Sequence, residues 1–413
     1  MLTTMPAIPD GRDTSRKVPD NATPLPDLDS ATIAQLRARG SLKWTYFGPN
    51  VLPAWVAEMD HPTAESITEA LVDAVNRNRI GYPAPDGCEP SHGVAEASAR
   101  FFSSRYGWEV DPLWIATVPD VLRGVELALH LSGAPGSVVV VPTPSYPPFL
   151  EVVPLAGRRL VLVPCLPDDA LGWRLDLERI HTALTGDPMH GSGGTVLLCQ
   201  PHNPLGRAWR RDELVGLAAV VDSHHGRVIS DEIHGPLVLT GKHTPYASVA
   251  AHHTITVTSA SKAWNFAGLK CAQVILTAEV DRHRWAQQPF TRTTGASILG
   301  MTATIAAYND AIPWLDHVLD HTRKNAALLG ELLAAHLPSV RYRPPDATYL
   351  AWLDCRALEF DDPAAEFLRR GVAVNDGNTF STPGKGFIRL NLATPAPILT
   401  EIVQRMSGTS HAG

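Results

Sequence analysis

A chain of 413 residues, 44 % hydrophobic and 19 % charged, is long enough to bury more than one packed core. A net charge of −7 without a basic stripe argues against a nucleic-acid partner, and no apolar run is long enough to span a bilayer. Five scattered cysteines with no C-x-x-C pair point to reduced thiols in a cytoplasm, and no metal site is expected, because the doublets His224-His225 and His252-His253 read as solvated loop residues.

Taken in chain order, residues 1–26 hold five prolines among polar residues and no apolar h-region, so they read as a flexible leader. A short helix is expected over 31–39. A stronger one covers 64–76, with Ile67, Leu71 and Val75 on one face. Helices follow over 93–106 and 121–131. Strands are then expected at 138–141, 159–163, 195–200, 227–230, 254–258 and 271–276, with a helix at 211–224. This alternation predicts an α/β fold with a mostly parallel sheet covered by helices on both faces. One long helix spans 314–337 until Pro338 stops it, and the segments 349–353, 363–370 and 387–392 have α+β character. On this reading a large domain occupies 75–310, and a small α+β domain is built from 27–74 and 311–413.

Three strand ends carry chemistry. The run Val196–Gln200 opens into Pro201-His202-Asn203-Pro204-Leu205-Gly206, and Val228-Ile229-Ser230 runs into Asp231-Glu232-Ile233-His234. The third strand, Thr254–Thr258, opens into Ser259-Ala260-Ser261-Lys262-Ala263-Trp264-Asn265. Open α/β sheets build ligand sites at such C-terminal edges. An amine held there out of water loses its proton more readily and becomes a nucleophile able to form a Schiff base. Blander readings exist for each residue: a surface lysine in a Ser-rich loop, a capping Asp231, a satisfied buried His234.

Further motifs extend the pattern: Pro53-Ala54-Trp55-Val56-Ala57-Glu58-Met59-Asp60, Gly81-Tyr82-Pro83, Pro142-Thr143-Pro144-Ser145-Tyr146-Pro147-Pro148-Phe149, and Phe387-Ile388-Arg389-Leu390-Asn391. In this order, together with Gly268-Leu269, they resemble fold-type I pyridoxal-phosphate enzymes of the aminotransferase class I/II superfamily, within its cystathionine β-lyase-like branch. The resemblance covers roughly Leu42 to Thr394 and implies pyridoxal 5'-phosphate as cofactor. It implies that Lys262 holds the aldehyde and moves the Cα proton, that Asp231 pairs with the ring nitrogen, and that His234 and Asn203 lie at the ring hydroxyl. Tyr146 would stack on the ring. Backbone N–H groups of Val121 and Leu122 with the hydroxyls of Ser259 and Ser261 would hold the phosphate, joined by Tyr82 of a second subunit in a homodimer with shared sites. Arg389 would take the substrate carboxylate, with Asp60, Trp55 and Tyr349, and by analogy Trp44 and Tyr46, lining the pocket.

Three positions depart from the family pattern: Asp120 beside the phosphate, Lys270 where an arginine is common, and His61 at the expected pocket mouth. The implied reaction is β-elimination from L-cystathionine or a cysteine S-conjugate to a thiol, pyruvate and ammonia. An aminotransferase, a decarboxylation-coupled oxidative deamination in specialised metabolism, and a regulator that uses the fold as a scaffold stay open.

Overall fold

Short runs rich in β-branched residues, buried at nearly every position except in the edge strand Arg159–Pro164, form the central sheet, because helices cover both of its faces. In the structure, a computed structural model, residues 25–409 are described except 84–85, 87, 89–90, 171, 186–192 and 382–383. The leader therefore lies outside the described residues up to residue 24. Seven strands, β1 (Ile115–Val118), β2 (Val138–Thr143), β3 (Arg159–Pro164), β4 (Thr195–Cys199), β5 (Arg227–Asp231), β6 (Thr254–Thr258) and β7 (Ala272–Leu276), lie in the order β1-β7-β6-β5-β4-β2-β3. All neighbours are parallel except β7, which runs antiparallel to both β1 and β6. The alternation of side chains puts Val138 and Val140 in one apolar cluster and Val139 and Val141 in the other, so helices pack on each face.

Helix α1 (Val121–Ser132) lies against one of these faces. It can do so because of Gly124: a Cβ there would fall 2.5 Å from a methyl of Val257 on β6. That close approach fixes where the helix N-terminus points.

The two ends of the chain meet. Leu52–Pro53 pairs in parallel with Val372–Ala373, and a second sheet of four antiparallel strands, β8 (Arg341–Tyr342), β9 (Leu350–Asp354), β10 (Asn375–Asp376) and β11 (Phe387–Asn391), has the order β8-β9-β11-β10. Arg389 is the central residue of β11, paired in register with Trp352 and Asn375. Helices α2 (Ile298–Asp310) and α3 (Ile312–His336) precede this sheet.

Several expectations need correction. The helix over 65–76 buries Ile67 and Ala74 but leaves Val72 and Val75 exposed, so its inner face is rotated from the expected one. His253 is not solvated: its ring is buried between Tyr246 Oη (3.0 Å) and Asp222 Oδ1 (2.8 Å), and His252 reaches the same carboxylate oxygen at 2.8 Å. Among the described residues no helix is long and apolar enough to cross a membrane, and all five cysteines are free.

Candidate active site

The C-terminal ends of β4, β5 and β6 and the N-terminus of α1 converge on a cavity of about 270 Å³. Parallel strands end together there, so polar residues at or just beyond their ends, Asn203, Asp231 and Ser259, reach the same place. Asn203, Asp231, His234, Ser259, Ser261, Lys262, Tyr146 and Arg389 all line it, with Val121 and Leu122 at one end. A larger cavity, about 460 Å³, opens beyond the other end of α1 around His130 and Arg284, and none of the candidate residues lines it.

Lys262 donates to the Ala57 carbonyl at 2.8 Å and forms no ion pair among the described residues. Tyr349 donates to that same carbonyl at 3.1 Å. The turn behind the lysine is fastened by Asn265, whose side chain bonds both the N–H and the carbonyl of Met59 at 2.8 and 2.9 Å. Asn265 has a left-handed backbone (φ 59°), which asparagine tolerates better than most residues. Arg389 donates to Asn203 Oδ1 (2.9 Å), the Trp55 carbonyl (2.9 Å) and Asn375 Oδ1 (2.6 Å), and its guanidinium stacks over Phe380. With its oxygen committed to Arg389, Asn203 keeps its amide nitrogen as a donor.

Burial sets the charges. It lowers the Lys262 ammonium to about 8, with the Arg389 charge adding to the effect. Burial also pushes the Asp231 carboxyl up to about 7; the Ile233 N–H, 3.0 Å from Oδ1, opposes this. His234 falls to about 3, so its imidazole is neutral, and its Nδ1 has no hydrogen-bond partner among the described residues. Arg389 is drawn down to about 10 and its Nε is likewise unpartnered. Neighbouring Glu232 points the other way along the strand alternation, where Ser230, Tyr246 N–H and His243 satisfy it.

Residues 56–406 match the family model for aminotransferase class I and II. The chain belongs to that family. It is 37 % identical to the cystathionine β-lyase of Corynebacterium glutamicum over 385 residues, covering 91 % of this chain and 98 % of that protein. It is 34 % identical to the cystathionine β-lyase PatB of Bacillus subtilis, covering 89 % and 95 %. Cystalysin from Treponema denticola, solved with pyridoxal 5'-phosphate, superposes with a TM-score of 0.82 at 28 % identity, over 90 % of this chain and 95 % of that one.

For a member of this family, the cavity gathers most of the residues expected from sequence but not all. Asp60 is the clearest correction: it is buried in an ion pair with Lys43 (2.7 Å), accepts the indole N–H of Trp44 (2.6 Å), and lines a separate cavity of about 220 Å³. Trp55 offers its carbonyl to Arg389 while its ring packs on Tyr46 and Phe47, away from the cavity lining. Tyr349 stands behind the cavity wall, holding Ala57. Tyr82 is fully exposed and lies outside the cavity within a single chain. His61 is not at a pocket mouth but buried edge-on to His321, with both ring nitrogens unpartnered. Asp120 does cap α1, yet it also lines the cavity and pairs with Lys270.

Sequence reading missed Asn375 and Phe380, which fix Arg389, and the Ala57 carbonyl, which holds Lys262. Asn375 had a usable signal, an amide after the apolar stretch Val372–Val374; a backbone carbonyl gives none.

Proposed function

We propose that this protein is a pyridoxal 5'-phosphate-dependent C–S β-lyase that cleaves L-cystathionine or a cysteine S-conjugate to a thiol, pyruvate and ammonia. The observation that carries the reading is a partly buried lysine with no carboxylate partner among the described residues, at a sheet edge, in a chain aligned over nearly its whole length with cystathionine β-lyases. The donor set fits the cofactor. Lys262 would hold the aldehyde, the Asp231 carboxylate would face the ring nitrogen, and unpartnered His234 Nδ1 and the Asn203 amide would meet the ring oxygen. Val121 and Leu122 N–H groups, Ser259 and Ser261 would receive the phosphate.

When bound, the cofactor supplies an aldehyde for an amine and a protonated ring that accepts electron density from the substrate's Cα. Arg389, already fixed on three sides, orients the substrate by its α-carboxylate. Lys262, unprotonated over part of the neutral range, takes the Cα proton, and the thiolate leaves from Cβ. Asp231 would hold the ring nitrogen's proton, since a cationic ring beside it would favour its carboxylate form.

On this reading the small domain of 27–74 and 311–413 would close one side of the site through Val56, Ala57 and Arg389, and the large domain of 75–310 would supply the rest. Tyr82 would serve the cofactor site of a second copy, and its full exposure, with that of Val72, Val75 and Ile80, supports a homodimer. Free cysteines support a cytoplasmic location. The test is a panel of cysteine thioethers assayed for pyruvate and free thiol together. Release of both in equal amounts is expected. Brisk amino transfer to 2-oxo acids with neither product would replace the lyase reading by an aminotransferase.

A further inference from the structure

The residue that caps α1, the helix aimed at the cavity, is itself a carboxylate. Asp120 Oδ1 accepts the Arg123 N–H at 2.9 Å, and Oδ2 lies 2.9 Å from Lys270 Nζ. Burial alone would raise the Asp120 carboxyl, but the Arg123 N–H and the Lys270 ammonium outweigh it and hold it below the usual carboxylate range. Asp120 is therefore an anion at neutral pH. Lys270 reaches it from a left-handed backbone (φ 53°), held there by the Ser297 N–H on its carbonyl at 2.8 Å. Lysine rarely adopts that conformation, so the chain bears strain to place one ammonium beside one cap. Both side chains line the cavity.

A helix N-terminus with open N–H groups attracts anions, and an added cation strengthens the attraction. Here one of those N–H groups is already occupied by a side-chain anion, and the nearby ammonium is already paired. We infer that Asp120 is a built-in competitor of the cofactor phosphate, lowering the pull of this end of the cavity and setting how tightly the phosphorylated cofactor is retained. The inference rests on the cofactor reading above. A lone Lys270 would present a full positive charge to a phosphate dianion; the Asp120–Lys270 pair presents nearly none.

The experiment uses apoprotein titrated with pyridoxal 5'-phosphate and, separately, with unphosphorylated pyridoxal, followed by absorbance. Asp120→Asn removes the charge and keeps a capping side chain of equal rank; Asp120→Ser is a second uncharged cap, and thermal melts check folding. Both variants are expected to bind the phosphorylated form roughly three- to tenfold more tightly, with pyridoxal affinity unchanged. Lys270→Met is expected to weaken the phosphorylated form by a similar factor and again spare pyridoxal. The inference is overturned if the Asp120 variants leave phosphate-form affinity unchanged or weaken it, or if both ligands shift equally, as a purely structural cap would require. Absence of any binding by the unaltered protein would instead sink the cofactor reading itself.

Discussion

Among the described residues two lysine–aspartate sets, one fully buried and one with a partly buried lysine, are built in opposite ways. Lys43 and Asp60 touch at 2.7 Å, and Trp44 completes the carboxylate's partners. Lys262 and Asp231 share a cavity yet form no ion pair; each is held by a backbone group instead. Burial moves both of their protonation equilibria toward neutrality, to about 8 and about 7. The first set is closed, and breaking it would strand a buried charge. The second is kept apart, so its charges stay available for a ligand, which is how chemistry is stored in a fold.

That contrast can be broken or sharpened by substitution. Lys262→Ala is expected to cut turnover by about 10⁴-fold while leaving the melting temperature near that of the unaltered protein, since no ion pair is lost. A comparable loss of stability would erase the distinction between the two sets. Lys43→Met should do the reverse. Stranding the Asp60 charge costs about 3–5 kcal/mol by denaturant unfolding, with turnover per folded molecule much less affected. Arg389→Lys keeps the charge but loses the fork, and kcat/KM for an amino-acid substrate should fall by roughly 10- to 100-fold, mostly through KM.

The smallest effect concerns pH. Only the unprotonated Lys262 amine can condense with an aldehyde. With its value lowered from 10.5 to about 8, the reactive fraction rises as pH climbs through that value. From pH 7 to 9 the rate of cofactor capture by apoprotein should increase by about tenfold. Asp231 ionises through about 7, in the same direction. A flat profile would mean that the amine is not held in the buried state described.

How much of this could be read from the chain depended on the range of the interaction involved. The strands β4, β5 and β6 and their polar ends were legible, because apolar runs ending in Asn203, Asp231 and Lys262 are local patterns and parallel strands terminate on one edge. Partner choice was not. Asp60 looks available in sequence, but Lys43 and Trp44 claim it through folding of the 41–46 segment beneath it. The rotated face of the 65–76 helix came from counting Val75 as inward, where packing against α2 instead selects Ile67 and Ala74. Helices at Pro147–Leu155, Leu177–Thr185, Glu279–Ala286, Ala396–Ser407 and α2 were missed, two of them for opposite reasons: Pro147–Leu155 carries three prolines, and α2 is apolar nearly all round, which hides its period.

The carbonyl of Ala57 has one more consequence. It is gripped by two donors, Lys262 and Tyr349. Were the lysine to swing toward an aldehyde, as the proposed function requires, the phenol would remain, so the departing amine would leave behind neither an orphaned oxygen nor a slackened bend at Ala57. Redundancy at a single backbone atom lets the most reactive group in the protein come and go at little energetic expense.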